Sequence, residues 1–108
     1  MKANELNKRV TLAIFEALNA ERNGQAEEIK KAFAQVSALE GELASYLPAG
    51  GIEGDMAREG AVRAALKSEN AQRARELAEN YLAEDVSEDT KQTLLDLTRE
   101  AQEQMVAE

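Results

Sequence analysis

The chain has 108 residues, 21 of them Asp or Glu against 13 Lys or Arg, for a formal net charge of −8; this length is that of one folded unit around one hydrophobic core. Cys and His are both absent, which excludes disulfides, thiolate nucleophiles and Cys-ligated zinc and removes the commonest general base and metal ligand at neutral pH, so catalysis is not expected. Apolar residues make up 44% of the chain, yet there are only two Phe, two Tyr, no Trp and one Pro; with Ala, Glu, Leu, Lys and Gln abundant, the composition predicts an all-α bundle of about five helices and no sheet.

The first predicted helix spans Ala3 to Arg22, with Leu6, Val10, Ala13, Ile14 and Ala17 at the spacing of one buried face. Lys2, Lys8 and Arg9 precede the apolar run Val10 to Phe15, but this run is shorter than the core of a signal peptide and Glu16 ends it. No stretch is long and apolar enough for a membrane span, and a cytoplasmic protein is expected. Asn23-Gly24 stops the helix, because a glycine just past a helix end adopts the left-handed conformation that closes it. An antiparallel hairpin with the next helix follows.

The second predicted helix, Gln25 to Tyr46, carries the clearest stripe: Ile29, Ala32, Phe33, Val36, Leu39, Leu43, Tyr46 and Leu47. It is therefore read as the central helix. Ala34, Ser37, Ala38, Gly41, Ala44 and Ser45 line its other side with small side chains, which suit either exposed helix or close packing of another backbone.

Residues 48–54, Pro-Ala-Gly-Gly-Ile-Glu-Gly, read as a loop between the N-terminal hairpin (1–47) and a three-helix C-terminal half (55–108). They lack the Gly-Lys-Ser/Thr ending of a Walker loop and the preceding strand of a dinucleotide fingerprint. Asp55 is expected to cap a short third helix running to Lys67. Ser68-Glu69-Asn70 should break the chain, since the apolar stripe shifts between Val62, Leu66 and the later set Ala74, Leu77, Ala78, Tyr81. A fourth helix over Ala71 to Ala83 follows, then a fifth capped by Ser87 with Glu88 and Asp89 in its first turn and Leu94, Leu97, Ala101 and Met105 as its stripe. The stretch from Ala61 to Asp85, with Ala74, Ala78, Tyr81, Leu82 and the closing Glu84-Asp85, resembles one tetratricopeptide helix pair. It lacks that family's Trp, paired Gly and terminal Pro, and it occurs once where a solenoid needs about three repeats, so no solenoid is expected.

The charge is unevenly placed. Before Glu79 the signs nearly balance; from there on Glu79, Glu84, Asp85, Glu88, Asp89, Asp96, Glu100, Glu103 and Glu108 face only Lys91 and Arg99. Such a surface repels nucleic acid and attracts a basic protein surface. Glu84, Asp85, Glu88, Asp89, Asp96, Glu100 and Glu103 are therefore the candidate partner-binding face, with solubilisation as their ordinary alternative. The acids lack the spacing of a calcium loop, and neither a metal nor another cofactor is expected. Arg58, Arg63, Lys67, Arg73 and Arg75 are expected to pair within the chain rather than form a nucleic-acid patch. A second candidate contact surface joins Leu12 and Phe15 of the first helix with Ala34, Ala38 and Gly41 of the second. The expected function is stoichiometric binding to a protein with a basic surface, as an inhibitor or adaptor of the phage anti-defence, immunity or antitoxin kind. The alternative is a structural module that pairs with a second copy of itself.

Overall fold

The computed structural model describes residues 2–107, which form five helices: α1 (Ala3–Asn23), α2 (Ala26–Ala44), α3 (Ile52–Lys67), α4 (Ala71–Leu82) and α5 (Glu88–Ala107). Among the described residues there is no strand. The fold class is thus the all-α bundle that composition predicts. Gly24 closes α1 with φ +74° and donates its N–H to the Ala20 carbonyl. Asn70 caps α4 by accepting from the Arg73 amide at 3.2 Å, and Ser87 receives the Thr90 amide at 3.2 Å. The break at residues 68–70 falls where the stripe shifts, with Glu69 held at φ +61°.

The helices form a flat body of 37 × 36 × 18 Å. α1 packs on α2, α2 on α3, and α3 on both α4 and α5, which also pack on each other. The helix expected to be central is therefore not; α3 is. Its buried residues include Ala57, Arg58, Ala61, Val62, Ala65 and Leu66, spread over more than half the circumference of a helix that turns about 100° per residue. Alanine reads as neutral in a hydropathy pattern, so a helix surrounded on several sides by close neighbours through alanines gives a weak stripe. Two clusters share α3: Leu6, Val10, Phe33, Val36, Leu39 and Leu43 gather with Ala57 and Ala64, while Leu94, Leu97, Tyr81 and Val86 gather with Ala61, Val62 and Ala65.

Several boundaries move for identifiable reasons. α3 starts at Ile52, so the loop is shorter than residues 48–54, and Asp55 lies inside the first turn instead of capping it. Its carboxylate, 5% exposed, accepts the Gly50 amide at 2.8 Å and the Ser87 amide at 3.0 Å, and so caps at long range what it was expected to cap locally. α2 ends at Ala44, which leaves Tyr46 53% exposed instead of on the core stripe. Ile14 is likewise partly exposed, because α1 has one neighbouring helix and cannot bury so wide a face.

Arg58 joins these parts. Its guanidinium is buried and donates to both Glu84 carboxylate oxygens at 3.0 and 3.1 Å, to the Gly54 carbonyl at 2.9 Å and to the Leu47 carbonyl at 3.1 Å. It also lies 5.6 Å from the centre of the Tyr81 ring. A smaller junction, in which the Ser37 hydroxyl donates to the Ala61 carbonyl at 2.7 Å and accepts from Arg73 at 3.0 Å, ties α2, α3 and α4 together.

Breaking a buried, multiply bonded ion pair from one side leaves its polar partners uncompensated. Arg58→Met leaves the Gly54 and Leu47 carbonyls without this donor while the 41% exposed Glu84 regains water, and it is expected to lower the free energy of unfolding by about 2–3 kcal/mol. Arg99→Met removes an exposed pair with Asp96 across one helical turn and should cost less than about 0.5 kcal/mol. Urea denaturation of the two variants checks the contrast, and equal losses would remove Arg58 from its place at the junction.

Candidate functional site

The seven acids of the candidate face are not equivalent. Glu84 is engaged by Arg58, although its side chain stays 41% exposed. Glu88 lies 3.3 Å from Lys91, and Asp96 lies 3.7 Å from Arg99 while also accepting from Gln92 at 3.1 Å. Asp85, Asp89, Glu100 and Glu103 are exposed. Along α5 the residues Asp89, Asp96, Glu100 and Glu103 fall within a narrow sector of the helical wheel, to one side of the buried Leu94, Leu97 and Ala101. The helix thus turns one side into the core and a nearly continuous negative stripe outward. Leu95 and Val106, 50% and 76% exposed, run beside that stripe. An acidic surface flanked by apolar side chains can steer a basic partner and then exclude water from the contact.

The second candidate surface divides. Leu12 and Phe15 are 62% and 64% exposed, and Ile14 and Leu18 join them at 38% and 43%. Four large apolar residues therefore sit on the uncovered side of α1. On α2, Ala34 and Ala38 are exposed, but Gly41 is half-buried against α4: a Cβ there would meet the Arg73 guanidinium at 3.5 Å and the Tyr81 hydroxyl at 3.7 Å. The small-residue side of α2 is thus partly spent on packing within the chain. Leu12 and Phe15 do not form one surface with Gly41.

A feature that sequence reasoning passed over lies between α1 and α3. Both pack on α2 without packing on each other, and they converge only toward their C-terminal ends, where Lys67 comes within 3.9 Å of Glu21 and 5.0 Å of the Phe33 ring centre. Toward their N-terminal ends they leave a groove of about 520 Å³, floored by Glu40, Leu43 and Leu47 and walled by Ile14 and Met56. Met56 is 65% exposed and the neighbouring Ile52 81%. Glu40 was legible as an anomaly, since it occupies the same sector of α2 as Phe33, Leu43 and Leu47.

Gly60 makes room for that carboxyl group; a Cβ there would fall onto it. Burial pushes the Glu40 carboxyl from its ordinary 4.5 up to about 7, opposed only in part by the Arg63 charge. Asp55 moves the other way: burial alone would raise it, but the Ser87 and Gly50 amides and the Ser87 and Thr90 hydroxyls outweigh burial and hold it below the usual 3.8. Among the described residues, no three acids gather closely enough to hold a metal ion, and no helix is long and apolar enough to cross a membrane. The five cations of the middle segment find intrachain partners, Arg58 with Glu84, Arg63 with Glu59, Lys67 with Glu21, Arg73 with Ser37 and Arg75 with Glu79. Comparison with protein families, with curated proteins and with solved structures finds no match.

The raised Glu40 carboxyl makes a signed prediction. In the unfolded chain it ionises near 4.5, whereas the folded protein holds its proton until about 7, so stability should fall as pH rises through that window and level off above it. Glu40→Gln is expected to flatten this part of the profile and to raise the melting temperature at pH 8. A wild-type profile already flat between pH 5 and 7, measured by thermal denaturation, would place Glu40 in water.

Proposed function

We propose that this chain acts by stoichiometric binding and not by catalysis, and that its target is a protein with a basic surface, docked by the outward face of α5. The observation that carries the reading is the stripe of Asp89, Asp96, Glu100 and Glu103, exposed along one helix, with Asp96 paired to Arg99. Carboxylates at this spacing form an extended negative line that competes for surfaces made to hold a phosphate backbone. Occupying such a surface makes the chain an inhibitor or an adaptor, of the kind that phage anti-defence proteins, immunity proteins and antitoxins represent. The lack of His and Cys agrees with a role without chemistry. The same reading sets the protein in the cytoplasm and gives it no direct contact with nucleic acid, which its charge would repel. A second reading, a structural module that pairs copies of itself, is favoured by the exposed apolar residues of α1.

Affinity capture on the full chain from a lysate of the source organism, eluted with a salt gradient, tests the first reading. A basic protein should be released as salt rises, because surface charge contacts are screened over about 10 Å at 0.1 M salt. Asp89→Lys combined with Asp96→Lys and Glu103→Lys should lower its association rate by about tenfold or more. Glu84 is left intact so that the fold is preserved. Binding that ignores both salt and the triple reversal would rule out the acidic face as the contact.

A further inference from the structure

The groove beside the N-terminal half of α1 has the size of a small-molecule site, and its lining selects a kind of molecule. Its volume of about 520 Å³ falls within the roughly 300–1,000 Å³ of ligand pockets, which are mainly apolar with a few polar groups that orient the guest. Val10 and Ile14 of α1, Leu43 of α2, Leu47 just after it and Met56 of α3 supply the apolar surface. The polar residues of the lining are Asn4, Asn7, Thr11, Glu40 and Glu53, with no cation among them. The Thr11 hydroxyl donates to the Asn7 carbonyl at 3.0 Å, within its own helix. Both charged groups of the lining are therefore acids, Glu40 half-buried on the floor and Glu53 exposed in the first turn of α3.

Glu40 is the group that sets the charge of the guest. Among the described residues its carboxyl makes no hydrogen bond and no ion pair; the Arg63 charge acts on it from α3, but that guanidinium pairs with Glu59 at 3.5 Å and is 53% exposed. Gly60 is what allows an acid this place, because a Cβ there would fall on the carboxyl. A half-buried carboxylate without a donor is costly, and a cation reaching it from the groove relieves that cost through a charge-assisted hydrogen bond. An ammonium group brings the charge and three donors together. We propose that the groove binds a small amphipathic amine, its apolar body against Ile14, Leu43 and Met56 and its ammonium on the Glu40 carboxyl, with the negative charge of Glu53 disfavouring anions. No residue of α5 lines this site, so it is independent of the acidic face.

Titration of the isotope-labelled full chain with hexylamine, followed by NMR chemical shifts, tests the site. At about pH 8 the shifts should concentrate on Asn7, Ile14, Leu43 and Met56 with a Kd on the order of 1 mM, and hexanol and hexanoate should bind about tenfold or more weakly. Burial pushes the Glu40 carboxyl up to about 7, while an alkylamine stays charged, as lysine does up to about pH 10. Binding should therefore weaken by about tenfold or more at about pH 5.5, where the free protein holds the Glu40 proton. Arg63 and Glu53 of α3 and the Tyr81 hydroxyl of α4 also feel or face Glu40, whereas α1 offers it only the neutral Asn4, Asn7 and Thr11. Glu40→Gln isolates its part: this variant should lose about tenfold in affinity at about pH 8 and nearly all of the pH dependence. Met56→Lys, at an exposed position, places a competing cation in the groove with Glu40 intact and should weaken hexylamine by about tenfold or more. Far-ultraviolet circular dichroism confirms that each variant is folded. Hexanol binding as well as hexylamine, Glu40→Gln binding as well as the parent, shifts spread over the acids of α5, or no shift by about 20 mM would each overturn the proposal. None of these outcomes bears on salt-dependent capture of a basic partner by α5.

Discussion

The rest of the structure depends on two side chains in the first two turns of α3. Asp55 takes an amide from the loop before α3 and another from Ser87, just before α5; Arg58 takes carbonyls from Leu47, in the segment after α2, and from α3 itself, and a carboxylate from the loop before α5. One turn of helix thus holds two loops that are more than thirty residues apart in the chain, Gly50 and Ser87 being bridged by a single carboxylate. Buried charges of this kind are tolerated because every direction in which they point meets a partner. Their directional bonds also decide which loop meets which helix, a choice that apolar burial alone leaves open.

Around this junction the packing is made mostly of alanine. Small side chains on α3 allow α2, α4 and α5 to come close on several sides, at the cost of little apolar area per residue. The body that results is wide and thin, and it has two cores that meet at one helix. The two candidate contact surfaces lie on opposite sides of that helix in the packing order: the acidic stripe on α5, in the half built on α4, and the exposed apolar side chains and groove on α1 and α2. An acidic face favours fast, salt-sensitive encounter, whereas an apolar groove favours slow release.

How much of this was legible in the sequence depended on what kind of signal each residue carried. Helices α1, α4 and α5 and the breaks at Gly24 and residues 68–70 came from apolar spacing and caps, which are local, and they stand. The centrality of α3 was not legible, because Ala57, Ala61, Ala64 and Ala65 carry no periodic hydropathy contrast. Asp55 looked like a helix cap, since nothing local shows that its partners are the amides of Gly50 and Ser87. Arg58 looked like one of five balanced cations, although its carboxylate comes from Glu84, twenty-six positions away. Among the candidate contact residues, Leu12 and Phe15 were found because they break a pattern. Glu40 also breaks one, an acid within an apolar stripe, and could have been found by the same test.

The edge position of α1 has a consequence for motion. It leans on one neighbour and buries Leu6, Val10 and two alanines, whereas every other helix packs against two or more. Local opening free energies follow buried contact, and the amides of α1 should accordingly exchange with solvent through a sub-global step well below the cost of unfolding the whole chain. One wall of the groove is then an element that can open by itself. Anything that fills the groove takes up that looseness, and ordering α1 becomes part of the free energy of association.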